Sequence, residues 1–431
     1  METTHITNAY DILKERGFVA QVTDDAAVEE LFASGPVTCY IGFDPTADSL
    51  HVGSLMPIMA LVHVRRAGHR PIAVIGGGTA MVGDPSGKTE MRQMLSRERI
   101  QANGMAIRAQ LDRYLHFDNT SSLAVDNYEW LAPLNYIDFL RDIGRHFSVN
   151  RMLAAEAYRL RLESGLSFIE FNYQILQAYD FLVLYRRHGC TVQMGGDDQW
   201  GNILAGVELI RRLESAQAHG VTFPLVTTAS GEKMGKTARG AVWLDPRKTS
   251  PYEFYQYWVN VDDRDVERFL AYFTLLPMDE IRQVSGLSGS DLNLCKVVLA
   301  YEATKITHGE EEALRAYAAA SSAFGKRIIP AEVLPSSTVP RGKEITSEEA
   351  IPTTVIARQR VEKGIWIAEL LTEVGLARTR SEARRLIEQR GAYLNQEPIT
   401  SVDLHITHQH FANGTLMLRA GKKRYHRLVI S

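Results

Sequence analysis

Apolar and polar positions along this chain alternate in blocks whose period changes. Residues 37–43 (VTCYIGF) form a short β-prone run that Asp44-Pro45-Thr46 breaks. Residues 50–67 predict a helix ending at Gly68. Residues 71–75 predict a second buried strand, stopped by Gly76-Gly77-Gly78, and a helical pattern follows over 96–115. Strand, helix, strand, helix is the order of a parallel α/β sheet. Residues 191–194 predict a further strand and 202–213 the helix after it. The segment between, 135–185, is mostly helical and is expected to interrupt the sheet as an insertion.

After Pro251 the aromatic run Tyr252, Phe254, Tyr255, Tyr257 and Trp258 opens a mainly helical region that extends to Phe324. Pro330, Pro335, Pro340 and Pro352 then follow in close succession, which predicts a linker. Regular structure resumes after it. Residues 367–374 and 381–389 predict short helices, with Gly391 as a cap, and 392–394 and 416–418 predict strands.

Composition sharpens this picture. With 431 residues and 45% hydrophobic content the chain can bury two or three domain cores. Its formal charge of −3 argues, as a single number, against a nucleic-acid partner. The distribution argues otherwise. Residues 376–431 hold ten Lys/Arg against four Asp/Glu, a net of +6, while the remainder, with 38 against 47, nets −9. A basic module on an acidic body suggests a polyanion for the module. Cys39, Cys190 and Cys295 are isolated in sequence, without metal-ligand or redox spacing, which fits a reducing cytosol. The first 18 residues lack an apolar core like a signal peptide's, and the apolar stretch 55–64 is too short to span a bilayer.

Three segments could carry chemistry. Gly83-Asp84-Pro85-Ser86-Gly87-Lys88-Thr89 is one residue short of a P-loop, and Met81 stands where a dinucleotide fingerprint needs its third glycine. His51-Val52-Gly53-Ser54 lies at a helix start, where unpaired N–H groups and the dipole attract phosphate. Lys233-Met234-Gly235-Lys236-Thr237 is a cationic loop able to close over a triphosphate and neutralise developing charge. Each alone is also compatible with an ordinary turn or capped helix. Their order, one after the first strand and one after the last, is more specific.

That pair resembles the His-Ile-Gly-His and Lys-Met-Ser-Lys-Ser signatures of class I aminoacyl-tRNA synthetases. Tyr40-Ile41-Gly42-Phe43-Asp44-Pro45-Thr46-Ala47-Asp48-Ser49-Leu50-His51, the Gly83 to Lys88 loop, residues 139–150, Gln177-Ala178-Tyr179-Asp180 and residues 195–202 together look like the bacterial tyrosyl-tRNA synthetase family. Residues 376–395 resemble an S-four-like RNA-binding domain. The resemblance implies an α/β fold: a Rossmann-like parallel-sheet catalytic domain (1–228) with a helical dimer-interface insertion (about 125–165), the lysine loop (229–250), an α-helical anticodon-arm domain (251–326), a linker (327–362) and a small α+β RNA-binding domain (363–431).

It also implies roles. Tyr40 and Asp180 would bond the substrate phenol; Asp84, Tyr173 and Gln177 its ammonium; Gln199 would lie near its carboxylate. Gly42, Asp44, Gly53, Ser54, Gly196 and Asp198 would hold ATP, with Asp198 on the ribose. Thr46 and His51 would meet the γ-phosphate, and Lys88, Lys233 and Lys236, with Thr237, the leaving pyrophosphate. Arg378, Arg380, Arg384, Arg385, Lys422, Lys423 and Arg424 would bind RNA. Expected partners are L-tyrosine, ATP with magnesium, tRNA(Tyr) and a second copy of the chain, in the cytoplasm, with no membrane, no permanently bound cofactor and no protein-held metal. Two positions depart from the family pattern: Ser54 replaces the second histidine, and Asp197 replaces a small hydroxyl residue. The alternatives are a tryptophanyl-tRNA synthetase, a non-catalytic RNA-binding paralogue and a P-loop ATPase.

Overall fold

The computed structural model describes residues 8–86, 95–231, 233–237, 240–324, 328–341, 353–421 and 424–431. These form two compact units: Met1–Lys248 with Glu267–Ser285, and Thr249–Val266 with Gly286–Ser431.

The first unit is built on a six-stranded sheet: β1 (Gln21–Val22), β2 (Thr38–Phe43), β3 (Arg70–Ile75), β4 (Leu123–Asp126), β5 (Cys190–Gly196) and β6 (His219–Phe223), in the order β1-β6-β5-β2-β3-β4. The pairings of β2 to β6 are parallel and the edge strand β1 is antiparallel. Helices α1 (Leu55–Arg66), α2 (Arg97–Leu115), α3 (Tyr173–His188) and α4 (Trp200–Glu214) connect and cover it. Both faces being covered, β3 and β6 are buried almost throughout; β3 reads as a continuous apolar run, whereas His219 and Thr222 interrupt β6. The chain runs from β2 outward to β3 and β4, then returns to β5 on the other side of β2. That reversal opens a crevice at the carboxyl ends of β2 and β5, the usual ligand position in open α/β sheets.

Several expectations change. The predicted helix over 50–67 begins later: Leu50 and His51 are extended, Val52–Ser54 is one 3-10 turn, and α1 starts at Leu55. β1, β4 and β6 escaped the sequence reading, because two to five residues show too little periodicity. The expected insertion overlaps β4 at Leu123–Asp126, and its helices Tyr136–Asp142, Val149–Ala154 and Glu156–Ser164 follow.

The expected helical domain over 251–326 is divided. Helix α5 (Pro251–Val259) starts with a capping box between Ser250 and Glu253 and packs on α7 (Gly289–His308) and α8 (Glu310–Phe324) in the second unit. Helix α6 (Val266–Phe273) and the turn after it join the first unit instead. There Arg16, 7% exposed, donates from its guanidinium to the carbonyls of Ala271 (2.8 Å), Thr274 (3.1 Å) and Leu276 (2.5 Å). A cation on otherwise unpaired carbonyls at a helix C-terminus satisfies both hydrogen bonds and dipole.

The expected linker over 327–362 is shorter than its prolines suggest. Within 328–341, Ile329, Leu334 and Val339 are buried, and Glu302 on α7 accepts from the Ser337 hydroxyl (2.6 Å) and the Thr338 amide (3.0 Å). Thr353–Ile356 is a strand, β9, of the C-terminal sheet; Pro352 lies outside the described residues. The remaining strands of that sheet are β10 (Ala392–Leu394), β11 (Glu397–Pro398), β12 (Thr415–Ala420) and β13 (Arg424–Ile430), ordered β11-β10-β12-β13-β9. Leu416, Leu418, Ala420 and Leu428 on its inner face pack on α9 (Ile367–Glu373) and α10 (Arg380–Glu388).

Replacing Arg16 by Met, similar in length but without donors, leaves three carbonyls unsatisfied. It should destabilise the first unit by about 3 kcal/mol, read as a lower urea midpoint at unchanged m-value.

Candidate active site

Three carboxylates stand at the crevice. Asp44, just past β2, accepts from the Thr79 hydroxyl (2.8 Å) and from the Tyr173 hydroxyl (2.9 Å). Glycine is required beside it: a Cβ at Gly76 would lie 1.9 Å from Asp44 Oδ1, so the Gly76-Gly77-Gly78 run is a packing requirement as well as a strand stop. Asp84 accepts from the Ser86 amide (2.9 Å) and from Gln199 Nε2 (2.8 Å). Asp180, buried on α3, accepts from Trp130 Nε1 (2.7 Å) and Asn127 Nδ2 (2.9 Å). Burial pushes Asp84 up to about 6 and Asp180 up to about 7, against the opposing pull of their hydrogen bonds.

Tyr40, at 2% exposure, has no hydrogen-bond partner for its hydroxyl among the described residues. Burial first, then the charge of Asp180, holds its phenol far above its ordinary value, so it is a neutral donor and acceptor. A buried hydroxyl without a partner is costly unless a ligand supplies one.

The two phosphate-seeking segments meet. His51 Nδ1 accepts from the Gly53 amide (3.0 Å), which places the imidazole proton on Nε2. A Cβ on Gly53 would lie 2.7 Å from the His51 ring and 3.1 Å from the Met234 carbonyl. Gly235, at φ +81°, sits equally close: a Cβ there would approach the Gly53 nitrogen to 3.0 Å. So the lysine loop touches the histidine turn through two glycines. Lys233 is exposed; Lys236–Thr237 is a short strand, β7, paired with β8 (Gly240–Ala241).

Other expected residues are placed as follows. Gly42 borders open space at the end of β2, and Thr46 is exposed, its amide bonded to the Asp44 carbonyl (2.8 Å). Asp198 crowds Gly196, where a Cβ would lie 2.5 Å from its Oδ1. Ser54 caps no amide with its side chain. Tyr173 reaches Asp44 in this structure, and Gln177 bonds Asn202 (3.1 Å). Lys88, Lys422 and Lys423 lie outside the described residues.

Sequence reasoning missed Asn127, Thr79, Trp130 and Asn202. Asn127 accepts from the Gly78 amide and donates to Thr79 and Asp180, joining the walls around Asp44 and Asp180. Asn202 donates to Gln177 and Gln199. A polar residue just after a strand is the usual signal for such a role, but β4 itself was not visible in the sequence.

The departure at Asp197 is tied to neighbouring strands. Its Oδ1 accepts from Gln21 Nε2 (2.5 Å) and the Thr222 hydroxyl (2.9 Å), tying the turn after β5 to β1 and β6.

On α10 and just before it, Arg378, Arg380, Arg384 and Arg385 are all exposed, and the Arg384 and Arg380 guanidinium groups lie 5.1 and 6.0 Å from the Trp366 ring centroid. Arg424 lies on the inner face with Ala420 and Leu428 and donates from Nη1 to the Leu376 carbonyl (2.7 Å).

Residues 33–325 match the tRNA synthetases class I (W and Y), and residues 345–428 the tyrosine–tRNA ligase SYY-like C-terminal domain. The tyrosine–tRNA ligase of Syntrophus aciditrophicus is 58% identical over 97% of this chain and 98% of its own length; that of Desulfatibacillum aliphaticivorans is 56% identical over 98% and 99%. Among solved structures, a C-terminally truncated mitochondrial tyrosyl-tRNA synthetase from Aspergillus nidulans superposes with a TM-score of 0.65 at 30% identity, covering 72% of this chain and 92% of that one. The sheet with its switch-point crevice and facing phosphate segments is thus that of a class I tRNA synthetase. Within that class the chain belongs to the tyrosine–tRNA ligases, an enzyme family.

Asp197→Ala should destabilise the first unit by about 1–2 kcal/mol, whereas Asp197→Asn, which keeps an acceptor at Oδ1, should lose well under half of that in urea unfolding.

Proposed function

We propose that this chain activates L-tyrosine with ATP and transfers it to tRNA(Tyr) through the residues gathered at the crevice. The observation that carries this reading is the buried, unpartnered Tyr40 hydroxyl on the same wall as Asp180. These are complementary partners for a phenol. Phenylalanine would leave the Tyr40 hydroxyl desolvated and unpaired, and the rejection of phenylalanine by tyrosyl-tRNA synthetases is the standard instance of that rule. Tryptophan has no phenolic hydroxyl to offer.

In the first step a tyrosine carboxylate oxygen attacks the α-phosphorus of ATP, and the bond to the bridging oxygen of pyrophosphate breaks. No protein nucleophile is needed, so the residues act by position and charge. Asp84 holds the substrate ammonium; Tyr173 and Gln177 border it. Gln199, bonded to Asp84, lies beside the carboxylate. Gly42 leaves room for the adenylate, Asp44, Gly53, Ser54 and Gly196 line the nucleotide, and Asp198 takes the ribose. The Nε2–H of His51, with Thr46, meets the γ-phosphate, while Lys88, Lys233, Lys236 and Thr237 draw off negative charge with the pyrophosphate. ATP enters as its magnesium complex. In the second step the ribose hydroxyl of the tRNA's terminal adenosine takes the tyrosyl group from the adenylate.

A homodimer extends this reading. The helices between β4 and α3 expose the large apolar side chains of Ile137 (68%), Phe168 (71%), Val149 and Tyr136 to water, which supports a contact with a second copy. The tRNA would then lie across both subunits, its anticodon arm on the helical and C-terminal domains and the exposed arginines of α10 on its phosphates. A cytoplasmic setting is supported by the three cysteines, all free and buried.

Pyrophosphate exchange measured with each of the twenty amino acids tests the reading. Exchange with tyrosine alone is expected, and its absence with every amino acid would overturn it. The pH profile tests Asp84. Its carboxylate must be ionised to hold the ammonium, and burial raises it to about 6. Tyrosine kcat/KM should therefore fall about tenfold per pH unit below that value and level off above it. Asp84→Asn should be weak and lack this limb.

A further inference from the structure

The chain leaving the lysine hairpin runs beside the segment that carries His51. The Val52 amide donates to the Val242 carbonyl (2.9 Å), the Leu244 amide to the Leu50 carbonyl (2.9 Å), and His51 and Trp243 pair as an antiparallel bridge between them. The Val242 amide donates in turn to the Gly235 carbonyl (2.9 Å), within the hairpin itself. This backbone zipper brings the Trp243 indole against the His51 imidazole, centroids 6.3 Å apart and planes at 74°, an edge-to-face contact. The Lys248 ammonium sits 4.9 Å from the centroid of the same indole and pairs with Asp48, three residues before His51. Arg99 adds a second, longer contact to Asp48 at 3.9 Å.

The imidazole is therefore restrained twice. The Gly53 amide fixes Nδ1, and the indole fixes the plane of the ring. A single hydrogen bond leaves a ring free to rock about it; a second contact, out of line with the first, removes that freedom. The restraint has an anchor of its own in Lys248 and Asp48, and both ends of the relay lie in the loop that starts at Asp44.

We propose that Trp243, held by Lys248 and Asp48, is a positioning residue for adenylate formation: it orients the His51 ring so that Nε2 faces the triphosphate, from the strand that continues the lysine hairpin. This rests on the reading of His51 given above. It makes histidine and lysine loop one registered unit, since the same strand is bonded to Gly235 and packed on His51.

The test is pyrophosphate exchange on the full-length chain carrying Trp243→Ala, Trp243→Phe, Lys248→Met, His51→Ala and the double change Trp243→Ala with His51→Ala. Trp243→Ala should lower kcat about tenfold with tyrosine KM unchanged, Lys248→Met about threefold, and Trp243→Phe, which restores an aromatic edge, less than twofold. The decisive arm is the double variant. If Trp243 acts through His51, the double variant is no slower than His51→Ala alone; effects that multiply would overturn the proposal. A slow His51→Ala beside an unaffected Trp243→Ala sinks this proposal and leaves the function of His51 standing. An unaffected His51→Ala sinks the reading of His51 itself, and the relay with it. Melting temperature and tyrosine binding report folding. Should Trp243→Ala fail to fold, Lys248→Met decides: an unchanged kcat overturns the relay, and a slowed one supports it.

Discussion

Burying carboxylates in one crevice is the constraint around which the first unit is organised. On the reading proposed above, a site for the ammonium and phenol groups of tyrosine requires acceptors that water does not screen, and such groups are costly to bury alone. Here Asp180 is buried and Asp44 and Asp84 lie partly covered in the same crevice, each supplied with at least two donors. Those seen among the described residues are neutral: amides of Asn127 and Gln199, hydroxyls of Thr79 and Tyr173, the Trp130 indole and the backbone amide of Ser86. A lysine or arginine in those places would have competed with the substrate ammonium. Neutral donors satisfy the carboxylate oxygens and leave the negative charge for the ligand.

Glycine is the other half of that arrangement. At Gly76 the missing Cβ makes room for the Asp44 carboxylate, and at Gly53 and Gly235 it lets two loops distant in sequence come within van der Waals contact. Gly235 has the further requirement of a left-handed backbone. These positions look alike in composition but answer to different neighbours: a carboxylate in one case, a backbone and an imidazole in the other. The histidine and lysine segments are therefore coupled sterically before any ligand arrives.

The second unit handles charge differently. Its arginines on α10 project into solvent or lie on Trp366, where a guanidinium keeps its charge and loses little hydration. Arg424, in a cluster of the same sign, is turned inward onto a carbonyl. Strand alternation decides this: Arg424 shares a face with His426 and Leu428, whereas Tyr425 and Arg427 share the opposite one. Counting charges locates a basic module but does not say which of its side chains face a partner.

By itself the sequence determined the α/β class, the principal strand β2, the helices α2 and α4 to within two residues, and the family. These depend on local periodicity and on motifs whose residues lie close together in the chain. It did not reveal β1, β4 or β6, short strands that exist because neighbours complete their hydrogen bonds. Nor did it reveal Asn127 and Asn202, ordinary polar residues until folding sets them between carboxylates and amides far away in sequence. Asp197 shows the limit most clearly. Next to Asp198 in the chain, it reads as a second carboxylate at the nucleotide; in space it is tied to Gln21 and Thr222, on neighbouring strands. Residue type states what a side chain can bond, but the partner it finds is set by the sheet order, and that order is a property of the whole fold.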